Sequence, residues 1–163
     1  MWPFVILAVT VTAIIVFLHW YSYSHLKTSI VSARTWDLNI CCGKVDGGGV
    51  NADIMRHADV PNFVKVDNIY ALPFDDDQFD TVLCSHTAEH VDDPDRFDRE
   101  LQRVGREVVY VLPPVWDLAA AFNVLEHRWI FLSMRKVHRK LPRRLKLPFA
   151  RTIQARVGQR LNA

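Results

Sequence analysis

The chain has 163 residues, half of them hydrophobic, and a formal net charge of +2, enough for one packed domain plus a short appendage and too little for two domains. Up to Glu126 there are 9 Lys/Arg against 18 Asp/Glu, and beyond it 11 Lys/Arg against none. An acidic body therefore precedes a basic tail. Its three cysteines, adjacent Cys41 and Cys42 and solitary Cys84, exclude a disulfide framework and a C-x-x-C site and read as small core residues in a reducing compartment.

In chain order, the first element is apolar. Trp2 to Leu18 carries no charge and leads into His19, Trp20, Tyr21 and Tyr23, in the manner of an interfacial aromatic belt. A helix of about 20 residues spans about 30 Å of hydrocarbon. Residues 1–24 are therefore predicted to form a single transmembrane anchor. A cleaved signal peptide would want a basic start, a shorter apolar stretch and a small-residue cleavage site. Lys27 and Arg34 follow the span and no charged side chain precedes it, which predicts the body on the cytoplasmic side.

Residues 35–115 read as an α/β domain. Thr35 to Cys42 is an apolar run ending in "GKVDGGG", and Val50 to Ile54 is another that closes on an acid. Only "KVDGGG" separates Gly43 from Val50, whereas a parallel crossover normally needs a dozen or more residues. The second strand is thus expected to be short, or else reached by an unusually tight glycine path. Asn62 to Asp67 alternates like a strand, and Phe79 to Ser85 is a continuous run of the buried parallel type. Asp93 to Gly105 places Phe97, Leu101 and Val104 at helical spacing, and Arg106 to Pro114 is a further buried strand stopped by two prolines. Strands alternating with loops or helices predict an open, mostly parallel sheet with ligands at the carboxyl ends of its strands.

His86, Glu89 and His90 spell H-x-x-E-H, the inverted zinc-protease signature. That chemistry needs both histidines inside one helix and a third ligand elsewhere. Here His86 ends a buried strand and Pro94 soon follows, so no metal is expected, and Glu89 and His90 are assigned to tying the loop to the next helix.

Trp116 to Leu141 mixes Leu, Phe, Trp, Ile and Met with a late Arg/Lys run, and the mixture continues to the end. Residues 116–163 are predicted to be a basic, amphipathic, helical tail. Beside a cytoplasmic membrane surface such a tail would adsorb to anionic lipid, each cation contributing on the order of 1 kcal/mol, or dock onto an acidic protein. Nucleic acid is not expected, given the anchor and the acidic body.

The segments "LNICCGKVDGGGVNADI", "KVDNIYALPFDDDQFDTVLCSHTAEHVDDP" and "LQRVGREVVYVLPP", in that order, resemble the class I S-adenosylmethionine-dependent methyltransferases, particularly their small type-11 branch. The resemblance covers about 80 residues from Leu38 to Pro114 and implies a truncated Rossmann-like fold. Its sheet would run third, first, fourth, fifth strand, with any second strand at Val50 to Asp53 short. It implies that the Gly43 turn admits the methionine part of the cofactor. Asp53 would hold the ribose, Asp67 and Asn68 with Ile69 would meet adenine, and Ser85 and His86 would face the sulfonium and the acceptor, His86 as a catalytic candidate. The sequence departs from the family's glycine motif, carrying Asn39, Cys41, Gly43 and Val45 where an acid and three glycines are usual. Two functions follow. One is a degenerate methyltransferase-like accessory subunit of a membrane complex. The other is an active S-adenosylmethionine-dependent methyltransferase acting on a lipid, quinone-like or membrane-protein acceptor.

Overall fold

A computed structural model describes residues 2–157. Helix α1 (Trp2–Trp20) passes through a π-helical stretch, Tyr21–Leu26, into α2 (Lys27–Val31) without a break. No residue of α1 is buried, and this helix is long and apolar enough to cross a membrane. The π-helical turn directs Ser22 inward, where it is fully buried.

The body is a six-stranded sheet in the order β3-β2-β1-β4-β5-β7. Strands β1 (Trp36–Ile40), β2 (Gly48–Asp53), β3 (Phe63–Lys65), β4 (Phe79–Ser85) and β5 (Gly105–Val111) are parallel. Helix α3 (Pro94–Val104) joins β4 to β5. Its N-cap is Asp93, whose carboxylate accepts from Arg96 N at 3.0 Å, and Pro94 stands where no amide donor is needed. The spacing of Phe97, Leu101 and Val104 buries one stripe of α3 against Leu38, Ile40, Val82, Cys84, Val108 and Tyr110 on one sheet face. On the other face Trp36, Leu83, Val109 and Val111 are covered by Val31, with Ile30 and Val45 packed at the edge. The Trp36 indole donates to Val31 O at 2.9 Å, so the inner end of the long helix lies directly on the sheet.

The parallel sheet and the adjacency of β1, β4 and β5 match expectation. The second strand takes the tight glycine path rather than the short form. It is six residues long, it lies between β3 and β1, and the third strand is the short one. Residues 41–47 alone carry the chain back along β1, bringing Trp36 N to Gly47 O at 2.8 Å. The glycines make this path possible. A Cβ at Gly47 would sit 2.6 Å from Asn39 Cβ, and one at Gly49 would sit 2.4 Å from Trp36 O and 2.6 Å from Asp37 O. Gly48 takes φ +93°, a region L side chains avoid. Two buried asparagines serve the polar groups of this crossover. Asn39 Nδ2 donates to Val45 O (2.8 Å) and to Asn51 Oδ1 (3.0 Å), and Gly47 N donates to the same Asn51 oxygen at 2.9 Å. Asn39, where the family carries an acid, thus has a structural task.

The chain after Pro114 also differs from expectation. Instead of one amphipathic helix it forms α4 (Leu118–Ala121), β6 (Trp129–Phe131), β7 (Val137–His138), β8 (Arg144–Lys146) and α5 (Ala150–Val157). Strand β7 adds antiparallel to β5, and β6 pairs antiparallel with β8. Residues 158–163 of the expected tail lie outside the described residues. Pro142 and Pro148 interrupt any long helix, and the tail's cations find partners on the acidic body. Arg128 and Arg151 pair with Asp92, Arg144 with Asp95 at 2.5 Å, and Arg139 with Glu107 at 3.0 Å. Each surface pair is weak alone; as a set they fold the basic segment onto the acidic one.

The crossover yields a direct test. Gly49→Ala should cost about 1–3 kcal/mol, because backbone on both sides blocks the new methyl group. Thermal unfolding of the full chain in detergent micelles measures it, and an unchanged midpoint would contradict the packing described.

Candidate functional site

A cleft of about 550 Å³ opens at the carboxyl ends of β1 and β4. Its floor is the 41–45 loop with Ser85 and His86, one wall is His19, Tyr23 and Lys27 of the long helix, and residues 119–127 contribute the opposite side. Five of the chain's seven histidines, His19, His57, His86, His90 and His127, line it, so imidazole dominates its chemistry.

The backbone explains the convergence. His86 adopts φ +53° at the end of β4 and donates its N–H to Val111 O at 2.8 Å. That turns the chain sharply, so that Glu89 points into the protein. The Glu89 carbonyl then accepts from Arg128 N (2.7 Å) and Trp129 N (3.1 Å), which brings His127 beside the 86–90 turn. The His90 and His127 rings lie 4.7 Å apart at 85°.

A buried polar chain runs through the floor. Lys136 Nζ donates to Ser22 Oγ at 2.9 Å and lies 3.0 Å from His86 Nε2. An ammonium only donates, so the network assigns Nε2 as acceptor and puts the His86 proton on Nδ1. That Nδ1 stands 3.2 Å from Glu89 Oε1, at ion-pair distance though not in line for a hydrogen bond. Burial lowers the Lys136 ammonium to about 8 and also lowers His86. Glu89 is 1% exposed. Burial would raise its carboxyl, but the contact with His86 outweighs this and holds it below the ordinary carboxylate range. His127, also buried, is lowered to about 4 by desolvation, so its ring is neutral at physiological pH. On the helix side His19 Nδ1 meets the fully buried Asp117 carboxylate at 3.1 Å, and the Tyr23 ring packs edge-on to His86 at 5.3 Å.

Of the residues the sequence assigned to cofactor and catalysis, the structure brings Gly43, Ser85 and His86 together in the cleft. Asp53 lies behind Gly43. Its Oδ2 accepts from Gly43 N at 2.9 Å and its Oδ1 from Ile54 N at 2.8 Å, and it is 5% exposed. Asp67 and Asn68 stand apart from the cleft. Asp67 is exposed near Lys65, and the Asn68 side-chain oxygen accepts from Tyr70 N at 2.9 Å, closing a local turn. Cys41, at φ +52°, keeps a thiol rather than a thiolate, because burial and then the Asp53 carboxylate push its pKa up. Burial likewise raises Cys42, to about 11. Sequence reasoning missed His127, Lys136 and Ser22, since nothing in their spacing ties them to the H-x-x-E-H segment.

Residues 44–112 match the family described as the methyltransferase domain, type 11. The match begins just after the glycine turn, so β1 and the positions that depart from the family motif fall outside it. Among curated proteins none matches the chain significantly. Similar solved structures include the [4+2]-cyclase SpnF, 22% identical, covering 52% of this chain and 44% of that one with a TM-score of 0.39. A SAM-dependent methyltransferase from Thermotoga maritima is 17% identical, covering 70% of this chain and 62% of that one with a TM-score of 0.41. The PH0226 protein from Pyrococcus horikoshii is 16% identical, covering 78% and 75% respectively with a TM-score of 0.41. The chain thus spans 44% and 62% of the length of the first two.

Asp53→Ala would leave the Gly43 and Ile54 amides without their carboxylate acceptor. We expect a loss of about 1–3 kcal/mol of folding stability with no ligand present, read from the denaturation midpoint of the full chain. No loss would mean that the carboxylate is not a structural acceptor.

Proposed function

We propose that this chain is a membrane-anchored, methyltransferase-like protein whose cofactor site is degenerate, and that it acts as an accessory or structural subunit of a membrane protein complex. The observation that carries this reading is the state of Asp53. In the family role its carboxylate would accept the ribose hydroxyls; here it is buried and both oxygens already accept backbone N–H groups. Asp67 and Asn68, the expected adenine contacts, lie away from the cleft that contains Gly43, Ser85 and His86. Cys41 and Asn39 replace motif residues in the same turn and are used for packing and for the crossover.

In this reading the apolar α1 crosses the bilayer once, with Lys27 and Arg34 holding the body at the cytoplasmic side. The helix contacts lipid, and the tail cations not engaged with the body meet anionic headgroups or an acidic neighbouring subunit. A second reading, an active S-adenosylmethionine-dependent methyltransferase on a lipid, quinone-like or membrane-protein acceptor, is favoured by one feature. The cleft lies at the strand ends where this fold binds ligands, and the membrane helix itself forms one wall.

Calorimetric titration of the full chain in micelles with S-adenosylmethionine and with its demethylated product separates the two. The accessory reading expects no binding heat up to millimolar cofactor. Saturable binding that Asp53→Ala weakens by about 1.5–3 kcal/mol would overturn it in favour of the enzyme.

A further inference from the structure

The cleft holds a second set of groups that the methyltransferase fold does not account for. Glu89, His90 and His127 each offer a ligand atom, and these atoms lie within 4.8 Å of one another. A tetrahedral metal with bonds near 2.1 Å brings its ligands to about 3.4 Å separation, so side-chain rotation closes the remaining gap. Two of the three are more than nine-tenths buried and carry unsatisfied polar atoms: both Glu89 oxygens lack an aligned hydrogen bond, and so does His127 Nδ1. Leaving such groups buried and unpaired is costly, and a buried carboxylate ordinarily has a cationic or metal partner.

The surroundings are those of oriented ligands. His90 Nδ1 lies 2.9 Å from Glu126 O, which fixes the ring and leaves Nε2 as a lone-pair donor facing the cleft. His86 sits behind Glu89 with Nδ1 at 3.2 Å and is itself held by Lys136, as outer-shell groups hold a metal-bound carboxylate.

We propose that Glu89, His90 and His127 form a binding site for one first-row divalent cation, zinc in preference to magnesium, with its remaining coordination position open to the cleft. Two imidazoles and one carboxylate suit zinc and its transition-metal neighbours, whereas magnesium prefers an all-oxygen shell. The H-x-x-E-H segment therefore supplies a glutamate and one histidine as ligands. The third ligand comes from the 119–127 segment, and His86 is a positioning residue. The site is independent of S-adenosylmethionine and does not rest on the accessory reading.

The test uses the full chain without a polyhistidine tag, in detergent micelles, dialysed against Zn²⁺ and separately against Mg²⁺, with bound metal counted by mass spectrometry. Co²⁺ absorption reports the ligand set. One zinc per chain is expected, no stoichiometric magnesium, and visible Co²⁺ bands without a thiolate-to-cobalt band in the near ultraviolet. His127→Ala and the half-exposed His90→Ala should each weaken zinc by more than about 100-fold, and His86→Ala by about 10–100-fold, the range for outer-shell groups. His57→Ala, a cleft histidine outside the trio, should leave binding unchanged. The proposal is overturned if the folded wild-type chain takes up no zinc, if His90→Ala binds it as tightly as wild type, if magnesium binds equally well, or if a thiolate band shows cysteine ligation.

Discussion

The buried chain Ser22–Lys136–His86–Glu89 is the interaction on which the arrangement of this molecule depends. It joins three parts that are far apart in sequence: the inner end of the long helix, the turn after β4, and the segment that leads into β7. A buried lysine needs partners that accept and a buried glutamate needs partners that donate. The two are 47 positions apart in sequence, and one imidazole stands between them, accepting from Lys136 through Nε2 and facing Glu89 with Nδ1 at ion-pair distance. If that imidazole were lost, the buried lysine and glutamate would lose their shared neighbour, which costs more than the net worth of one bond.

From that chain follows the relation of the long apolar helix to the cleft. Trp2 to Ile14 is exposed on all sides, whereas His19, Ser22, Tyr23 and Val31 are engaged with the body. The helix is thus apolar where it would meet lipid and polar where it becomes a wall of the cleft. Any ligand of the cleft would lie beside the C-terminal end of the long apolar helix, whichever function the body performs there.

Much of this was legible in the sequence, and the failures have physical causes. The apolar helix, β4, β5 and α3 declare themselves through uninterrupted hydrophobic runs or through caps and period, because each is decided by local patterning. Strand β2 was underestimated because the length rule for crossovers assumes side chains on the connecting path. Gly47 to Gly49 and the amides of Asn39 and Asn51 remove that assumption. The tail was misread because its hydrophobic and basic residues were counted without the acids they meet. Asp92, Asp95 and Glu107 lie in the body and turn a free basic helix into docked strands. At the site, the motif gave Glu89 and His90, and the sequence argument against a metal rested on the missing helix. What brings His127 beside them is a pair of backbone bonds that the Glu89 carbonyl accepts from residues 128 and 129, which no spacing rule anticipates. Gly43 and Ser85 line the cleft, whereas Asp53 accepts from the protein's own backbone.

Lys136 couples the long apolar helix to the 86–90 turn. Hydrogen–deuterium exchange on the full chain in lipid nanodiscs, comparing wild type with Lys136→Met, tests it most directly. The account predicts that the substitution speeds exchange in two places at once, residues 21–27 of the helix and residues 85–91 of the turn, while α3 is unchanged. Faster exchange in neither segment, or in only one, would contradict it.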